Sequence, residues 1–201
     1  MNEDEARSWI QARFGGELLA LLGRFVAMVV AENKRQNLIA PSTVDRIWSR
    51  HVADSAQLVD LAPPDGTWLD IGTGGGFPGF VIALVRPAVT HLVEPRRLRA
   101  SFLQHCCDAL GLSRRVEVHA APIERLTGVQ ADVISARAVA TPDSLIDAAR
   151  HCSEKATRWI LPFGRNRPDP ERLAGSLPGT LFHVERSITD PESAILVAAP
   201  R

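Results

Sequence analysis

The chain has 201 residues, 45% hydrophobic and 23% charged, with 23 basic side chains offset by 23 acidic ones. That length and composition specify one globular domain, or one with a small appendage, able to bury a substantial core. The balanced charge excludes the global positive field of a strongly basic nucleic-acid binder.

The amino terminus, Met1 to Arg7, is acidic and lacks an apolar signal core, and the run Phe25 to Ala31 is too short to span a bilayer. Cys106, Cys107 and Cys152 are odd in number and show no CxxC spacing, which argues against a disulfide framework or a zinc knuckle. A cytoplasmic protein with buried thiols and no metal site is expected.

Residues 3 to 60 read as helical. Trp9, Ile10 and Phe14, then Leu18, Leu22, Phe25, Val26 and Val29, recur at three- and four-residue intervals, with Gly15 and Gly16 between two helices. The second helix ends in the polar run Glu32 to Asn37, and Pro41 prevents its continuation. Ser42 or Thr43 is placed to cap a third helix carrying Ile47, Trp48, Val52, Leu58 and Val59. Pro63-Pro64-Asp65-Gly66 breaks the chain, so residues 1–64 form a helical extension and residues 65–201 a second unit, the core.

A strand over Thr67 to Ile71 runs into Asp70-Ile-Gly-Thr-Gly-Gly-Gly-Phe-Pro-Gly79, followed by a short apolar helix to Val85. A strand, a glycine turn and a helix start make a nucleotide-binding corner. Two frames fit it. Gly74, Gly76 and Gly79 match the GxGxxG of nicotinamide-dependent oxidoreductases, while Asp70, Gly72, Gly74 and Gly76 match the D-x-G-x-G-x-G of S-adenosylmethionine methyltransferases. The second fits better: it gives Asp70 a role at the cationic methionine end of the cofactor and does not need Pro78 inside the fingerprint. Glu94, closing the strand Val89 to Val93, can accept both ribose hydroxyls of either cofactor.

A helix from about Arg97 to Leu110 stops at Gly111, and strands follow at Val116 to Ala120, Val133 to Ala136 and Arg158 to Leu161, with a helix after Pro142. Such alternation predicts a parallel sheet covered by helices. The last two strands, Thr180 to Val184 and Ala194 to Ala199, are separated only by a turn at Asp190-Pro191 and must pair antiparallel. Seven strands ending in an antiparallel hairpin favour the methyltransferase frame. Between Arg96 and Arg115 five arginines face one acid, Asp108, which is either a solvated helix face or a patch for an anionic partner.

Five stretches taken together resemble the RsmG (GidB) family of bacterial 16S ribosomal RNA guanine-N7 methyltransferases: Asn37-Leu38, Arg50-His51 with Asp54-Ser55, Asp70 to Gly79, Arg97 with Phe102-Leu103, and Ser135 to Ala140. The resemblance implies a class I methyltransferase, a Rossmann-like α/β fold with a seven-stranded sheet, last strand antiparallel, and a helical amino-terminal extension. It also implies S-adenosylmethionine contacts at Gly72, Phe77, Ile123, Glu124 and Arg137. The chain departs from the family pattern at Ile39, at Arg96, and at Phe163-Gly164-Arg165.

The expected substrate is 16S rRNA or the small ribosomal subunit, bound by a monomer through Arg50, Arg96, Arg97 and Arg165. Guanine N7 bears a lone pair and no proton, so orientation rather than a general base should carry the reaction, with Arg137 a possible catalytic contributor and His51 a structural or hydrogen-bonding group. Competing readings are a methyltransferase for a protein or small molecule, which zero net charge favours, a nicotinamide-dependent oxidoreductase, and a cofactor-binding scaffold without catalysis.

Overall fold

The structure, a computed structural model, describes residues 1–137, 141–164, 173, 177 and 179–200. Helix α1 (Glu3–Phe14) opens on a capping box in which the Asn2 side chain accepts from the Glu5 amide and the Glu5 carboxylate accepts from the Asn2 amide. Helix α2 (Gly16–Gln36) buries Leu22, Phe25, Val26 and Val29 and stops where Asn37 turns left-handed at φ 51°.

The third helix differs from the sequence expectation. Pro41–Arg46 is a 3-10 turn, Trp48–Ala53 is π-helical, α3 (Asp54–Ala56) is a single α-turn, and Gln57–Leu61 is 3-10 again. Neither Ser42 nor Thr43 caps it; the Thr43 hydroxyl donates to the Ala40 carbonyl instead. The free amides inside the segment are met by α1, because the Glu3 carboxylate accepts from Trp48 N at 3.0 Å and from Ser49 N at 2.7 Å. A donor–acceptor match 45 residues apart therefore shapes this stretch, and it also ties α1 down.

The remaining elements are β1 (Trp68–Ile71), α4 (Gly79–Val85), β2 (Thr90–Val93), α5 (Arg97–Ala109), β3 (Val116–His119), β4 (Ala131–Ala136), α6 (Pro142–Ala149), β5 (Ser153–Phe163), β6 (Thr180–Arg186) and β7 (Ala194–Pro200). They form one seven-stranded sheet in the order β3-β2-β1-β4-β5-β7-β6. Strands β1 to β5 pair in parallel, and β7 lies antiparallel between β5 and β6. Strand β5 is longer than its hydrophobic run suggests, because its first residues pair with Ala131 across a register shift in β4.

One face of the sheet is covered by α1, α2, the 41–61 segment, α4 and α5, which share an apolar cluster including Ile10, Phe25, Trp48, Phe80 and Leu103. The other carries Leu69, Val93, Ile134 and Trp159 beneath α6, which contributes Ile146 to the same cluster. Each such large side chain, fully buried, contributes about 1.5–3 kcal/mol. The strand order reverses between β1 and β4, so their carboxyl ends open a crevice at the switch point, where α/β sheets take ligands. No helix among the described residues is long and apolar enough to cross a membrane.

Candidate active site

At that crevice lies a cavity of about 1060 Å³, walled by Gly72 to Gly75 with Phe77, by Glu94 to Arg96 with Arg99, by Leu38 to Ala40, Thr43, Arg50, His51 and Asp54, by Arg137, and by Phe163 and Gly164. The loop is tied to β2, since the amides of Gly72 and Thr73 both donate to Val93 O, at 2.8 and 3.1 Å. Gly72 and Gly74 have φ of 68° and 58°, and at Gly74 a Cβ would meet nothing nearer than 3.7 Å. Conformation, not crowding, demands glycine there.

Glu94 is 3% exposed. Its Oε2 accepts from Gly74 N at 2.9 Å and its Oε1 from Arg96 N at 2.8 Å, so the carboxylate is locked to the glycine turn. Each oxygen keeps a further lone pair beside the cavity, which suits a vicinal diol. With Phe77 and the open turn at Gly74, this donor set fits a nucleoside cofactor: a carboxylate for the ribose, glycine backbone that admits close approach, and an aromatic wall.

Two residues of the glycine motif are placed differently from the sequence expectation. Asp70 does not border the cavity; it is wholly buried beneath the loop, where Oδ2 accepts from Gly79 N at 3.0 Å and Oδ1 accepts from Ser135 Oγ at 2.6 Å. Ser135 Oγ in turn accepts from Trp68 Nε1 at 2.8 Å. Asp70 thus satisfies a free amide at the start of α4 and fastens β1 to β4. Burial pushes its carboxyl up to about 6 despite these hydrogen bonds. Gly76 also faces away, toward α2: a Cβ there would lie 2.4 Å from Phe25 Cζ, so its glycine permits packing.

Ile123 and Glu124 stand outside the cavity lining. The 3-10 turn Ile123–Arg125 follows β3, but Ile123 is buried in the apolar cluster under α6 and Glu124 points to solvent; neither borders the cavity.

Arg137, at the end of β4, does line the cavity. Its guanidinium donates to Asp54 Oδ2 at 3.4 Å, to Arg50 O at 3.3 Å and to His51 Nδ1 at 3.0 Å, and it stands 5.7 Å from the Phe77 ring centroid. Burial lowers its proton affinity, and the Asp54 carboxylate opposes that shift. Asp54 is itself fixed by Thr189 Oγ1 at 2.8 Å and Gln57 Nε2 at 3.0 Å.

His51 contacts Phe77, with ring centroids 4.9 Å apart, and its Nε2 lies 2.9 Å from Thr43 Oγ1. Burial first, then the charges of Arg137 and Arg50, depress its value to about 3, so the ring is neutral. A guanidinium can only donate, so Nδ1 is the acceptor and Nε2 carries the proton given to Thr43. The imidazole is thereby committed to holding Arg137 and has no vacant lone pair for proton abstraction.

The arginines expected to meet RNA divide three ways. Arg50 lines the cavity and is engaged in an ion pair with Asp190. Arg96 is exposed at the rim, and Arg97 is exposed at the first turn of α5 outside the lining. Arg165 lies outside the described residues, as do 138–140 of the Ser135 to Ala140 stretch. Arg99, which sequence reasoning passed over, lines the cavity and donates to Asn37 O at 3.2 Å. Its sequence signals are its place in the arginine-rich run from Arg96 to Arg115 and its position two residues into the helix that follows Glu94 and Arg96.

The comparisons agree in direction with this geometry. Residues 18–169 match the family model GidB, described as rRNA small subunit methyltransferase G. The chain is 46% identical to the ribosomal RNA small subunit methyltransferase G of Rhizorhabdus wittichii, over 99% of this chain and 93% of the relative. It is also 46% identical to the protein of that name from Sphingopyxis alaskensis, over 100% and 87%. Among solved structures, a methyltransferase from Geobacter sulfurreducens has a TM-score of 0.63 at 13% identity, with 89% of each chain covered. A SAM-dependent methyltransferase from Aquifex aeolicus has a TM-score of 0.57 at 16% identity, covering 81% of this chain and 94% of that one; these likenesses establish the class I fold.

Proposed function

The chain belongs to the rRNA small subunit methyltransferase G family, and from that premise we propose that it transfers a methyl group from S-adenosylmethionine to N7 of a guanine in 16S ribosomal RNA. The observation that carries this reading is the cavity itself, which is lined both by a locked carboxylate, Glu94, on the glycine turn and by an arginine held by a neutral histidine. When bound, S-adenosylmethionine supplies an electrophilic sulfonium methyl. Guanine N7 needs no deprotonation, so the site's task is to orient the base and exclude water.

The residues divide that task. Glu94 and the close-approach backbone of the Gly72 to Gly74 turn, whose amides are held by Val93 O and Glu94, set the cofactor's position, and Phe77 forms an apolar wall. Arg137 offers donors suited to the O6 acceptor on the same guanine edge. Positive charge appears on the base as the methyl arrives, and Asp54 beside Arg137 keeps the local charge from becoming doubly positive. Exposed Arg96 and Arg97 at the mouth suit phosphate contacts. The protein is taken to act as a monomer in the cytoplasm, which sedimentation and fractionation would check.

The test is methyl transfer from isotopically labelled S-adenosylmethionine to small ribosomal subunits from cells lacking this protein, with nucleosides resolved by mass spectrometry. Label is expected in 7-methylguanosine of 16S rRNA. Label in another nucleoside, or only in protein fractions, would overturn the proposal.

A further inference from the structure

Away from the cavity, on the edge of the sheet, two imidazoles and a carboxylate converge. Glu117 and His119 lie two apart on β3 and so project from one face, and His91 on β2 is in register with Glu117. His91 Nδ1 is 2.9 Å from His119 Nε2 and 3.5 Å from Glu117 Oε2, and His119 Nε2 is 4.0 Å from Glu117 Oε1. One ligand atom from each lies within 4.8 Å of the others.

A hydrogen bond between the imidazoles uses one proton and leaves the carboxylate oxygens out of bonding range, at 3.5 and 4.0 Å. A cation at their centre would engage both imidazole nitrogens and the carboxylate at once, releasing the single bridging proton. Metal bonds of about 2.1 Å in a tetrahedron separate the ligand atoms by about 3.4 Å; the imidazole nitrogens are 2.9 Å apart, and Glu117 brings Oε2 to 3.5 Å from His91 Nδ1 and Oε1 to 4.0 Å from His119 Nε2. We propose that His91, Glu117 and His119 form a binding site for a divalent transition-metal ion of the zinc type.

Imidazole with a single carboxylate suits zinc and its neighbours rather than magnesium or calcium, which take oxygen shells. The imidazoles are 12% and 16% exposed while Glu117 is 67% exposed, so the donors are preformed and the fourth position opens to water. None of the three lines the cofactor cavity. Their position gives the ion a role: β3 is an edge strand, and a metal shared by His91 and His119 would clip it to β2. The clip adjoins the active site, because His119 O accepts from Glu94 N at 3.0 Å. No metal-motif spacing marks these residues in the sequence; register brings them together.

Equilibrium dialysis of the full-length reduced protein against zinc chloride, with thermal melts alongside, tests the assignment. One equivalent of zinc should bind and raise the melting temperature, and cobalt(II) should give the visible absorption of a low-coordinate site. His119→Ala, and Glu117→Gln at an exposed position that does not threaten folding, should each weaken zinc by more than about tenfold. Both variants keep all three cysteines and the four other histidines, so unchanged affinity in them would place the metal at another site and overturn the proposal. Absence of binding to wild type at millimolar zinc would overturn it too, leaving a hydrogen-bonded histidine pair.

Discussion

Asp70 carries a charge that its surroundings resist. Its folded-state value of about 6 lies above the ordinary 3.8, so the fold favours the protonated form. The stability that follows is fully present below 3.8 and is lost as pH rises through 6, an amount of about 3 kcal/mol by linkage. Asp70→Asn keeps an acceptor for the Gly79 amide and removes the titration. The urea midpoint of wild type relative to Asp70→Asn should therefore fall between pH 4 and pH 7; a constant difference would contradict the burial account. His51 titrates in the opposite sense. Its value of about 3 lies below 6.5, so its contribution is present above 6.5 and lost as pH falls toward 3. For catalysis this means that single-turnover methyl transfer should show no inflection near the histidine range between pH 6 and 8, whereas a required deprotonation there would reinstate His51 as a base.

At the scale of elements, the 41–61 segment is where local pattern and structure part. Its apolar spacing reads as one α-helix, yet it alternates 3-10, π and α turns, since Glu3 supplies the acceptors that a local cap would have supplied. Nothing in residues 41–61 encodes a partner in α1. The irregularity matters, because this segment carries Thr43, His51 and Asp54 to Arg137. Glu3→Ala should cost about 1–2 kcal/mol of stability, as loss of a helix cap does, and should slow methyl transfer as the wall holding Arg137 loosens. A variant destabilised by that amount but transferring at the wild-type rate would separate the segment from the site. Arg137→Lys keeps the charge but loses the fork that reaches Asp54, His51 and Arg50 together, and it should reduce kcat at least tenfold with cofactor affinity within about threefold.

Across the whole molecule, hydrophobic periodicity and turn residues made the succession of strands along the chain and the antiparallel β7 legible, because each signal is local, while the order of strands within the sheet was not. Side-chain facing in the glycine motif was not. Gly72, Gly74, Phe77 and Glu94 reach the cavity, but Asp70 and Gly76, which fit the same pattern, turn inward to Gly79 and Phe25. A motif fixes spacing, while tertiary packing decides which member meets the ligand. Long-range pairing is equally silent in sequence: Arg50 looks free until Asp190, 140 residues on, comes beside it. That pairing leaves Arg96 and Arg97 as the exposed cations of the original set among the described residues. Replacing both by Ala should weaken RNA binding and reduce the slope of log affinity against log salt by about 1–2, with S-adenosylmethionine affinity unaltered. An unchanged slope would make that surface a solvated helix face.

The proposed function requires S-adenosylmethionine to lie against the Gly72–Gly74 turn under the grip of Glu94. Calorimetric titration of the cofactor into wild type and Glu94→Gln, which cannot accept from both the Gly74 and Arg96 amides, tests it most directly. Saturable one-to-one binding, weakened in the variant by about 10- to 100-fold for a lost charged acceptor, is the predicted result. No heat with wild type, or identical affinity in both proteins, would contradict it.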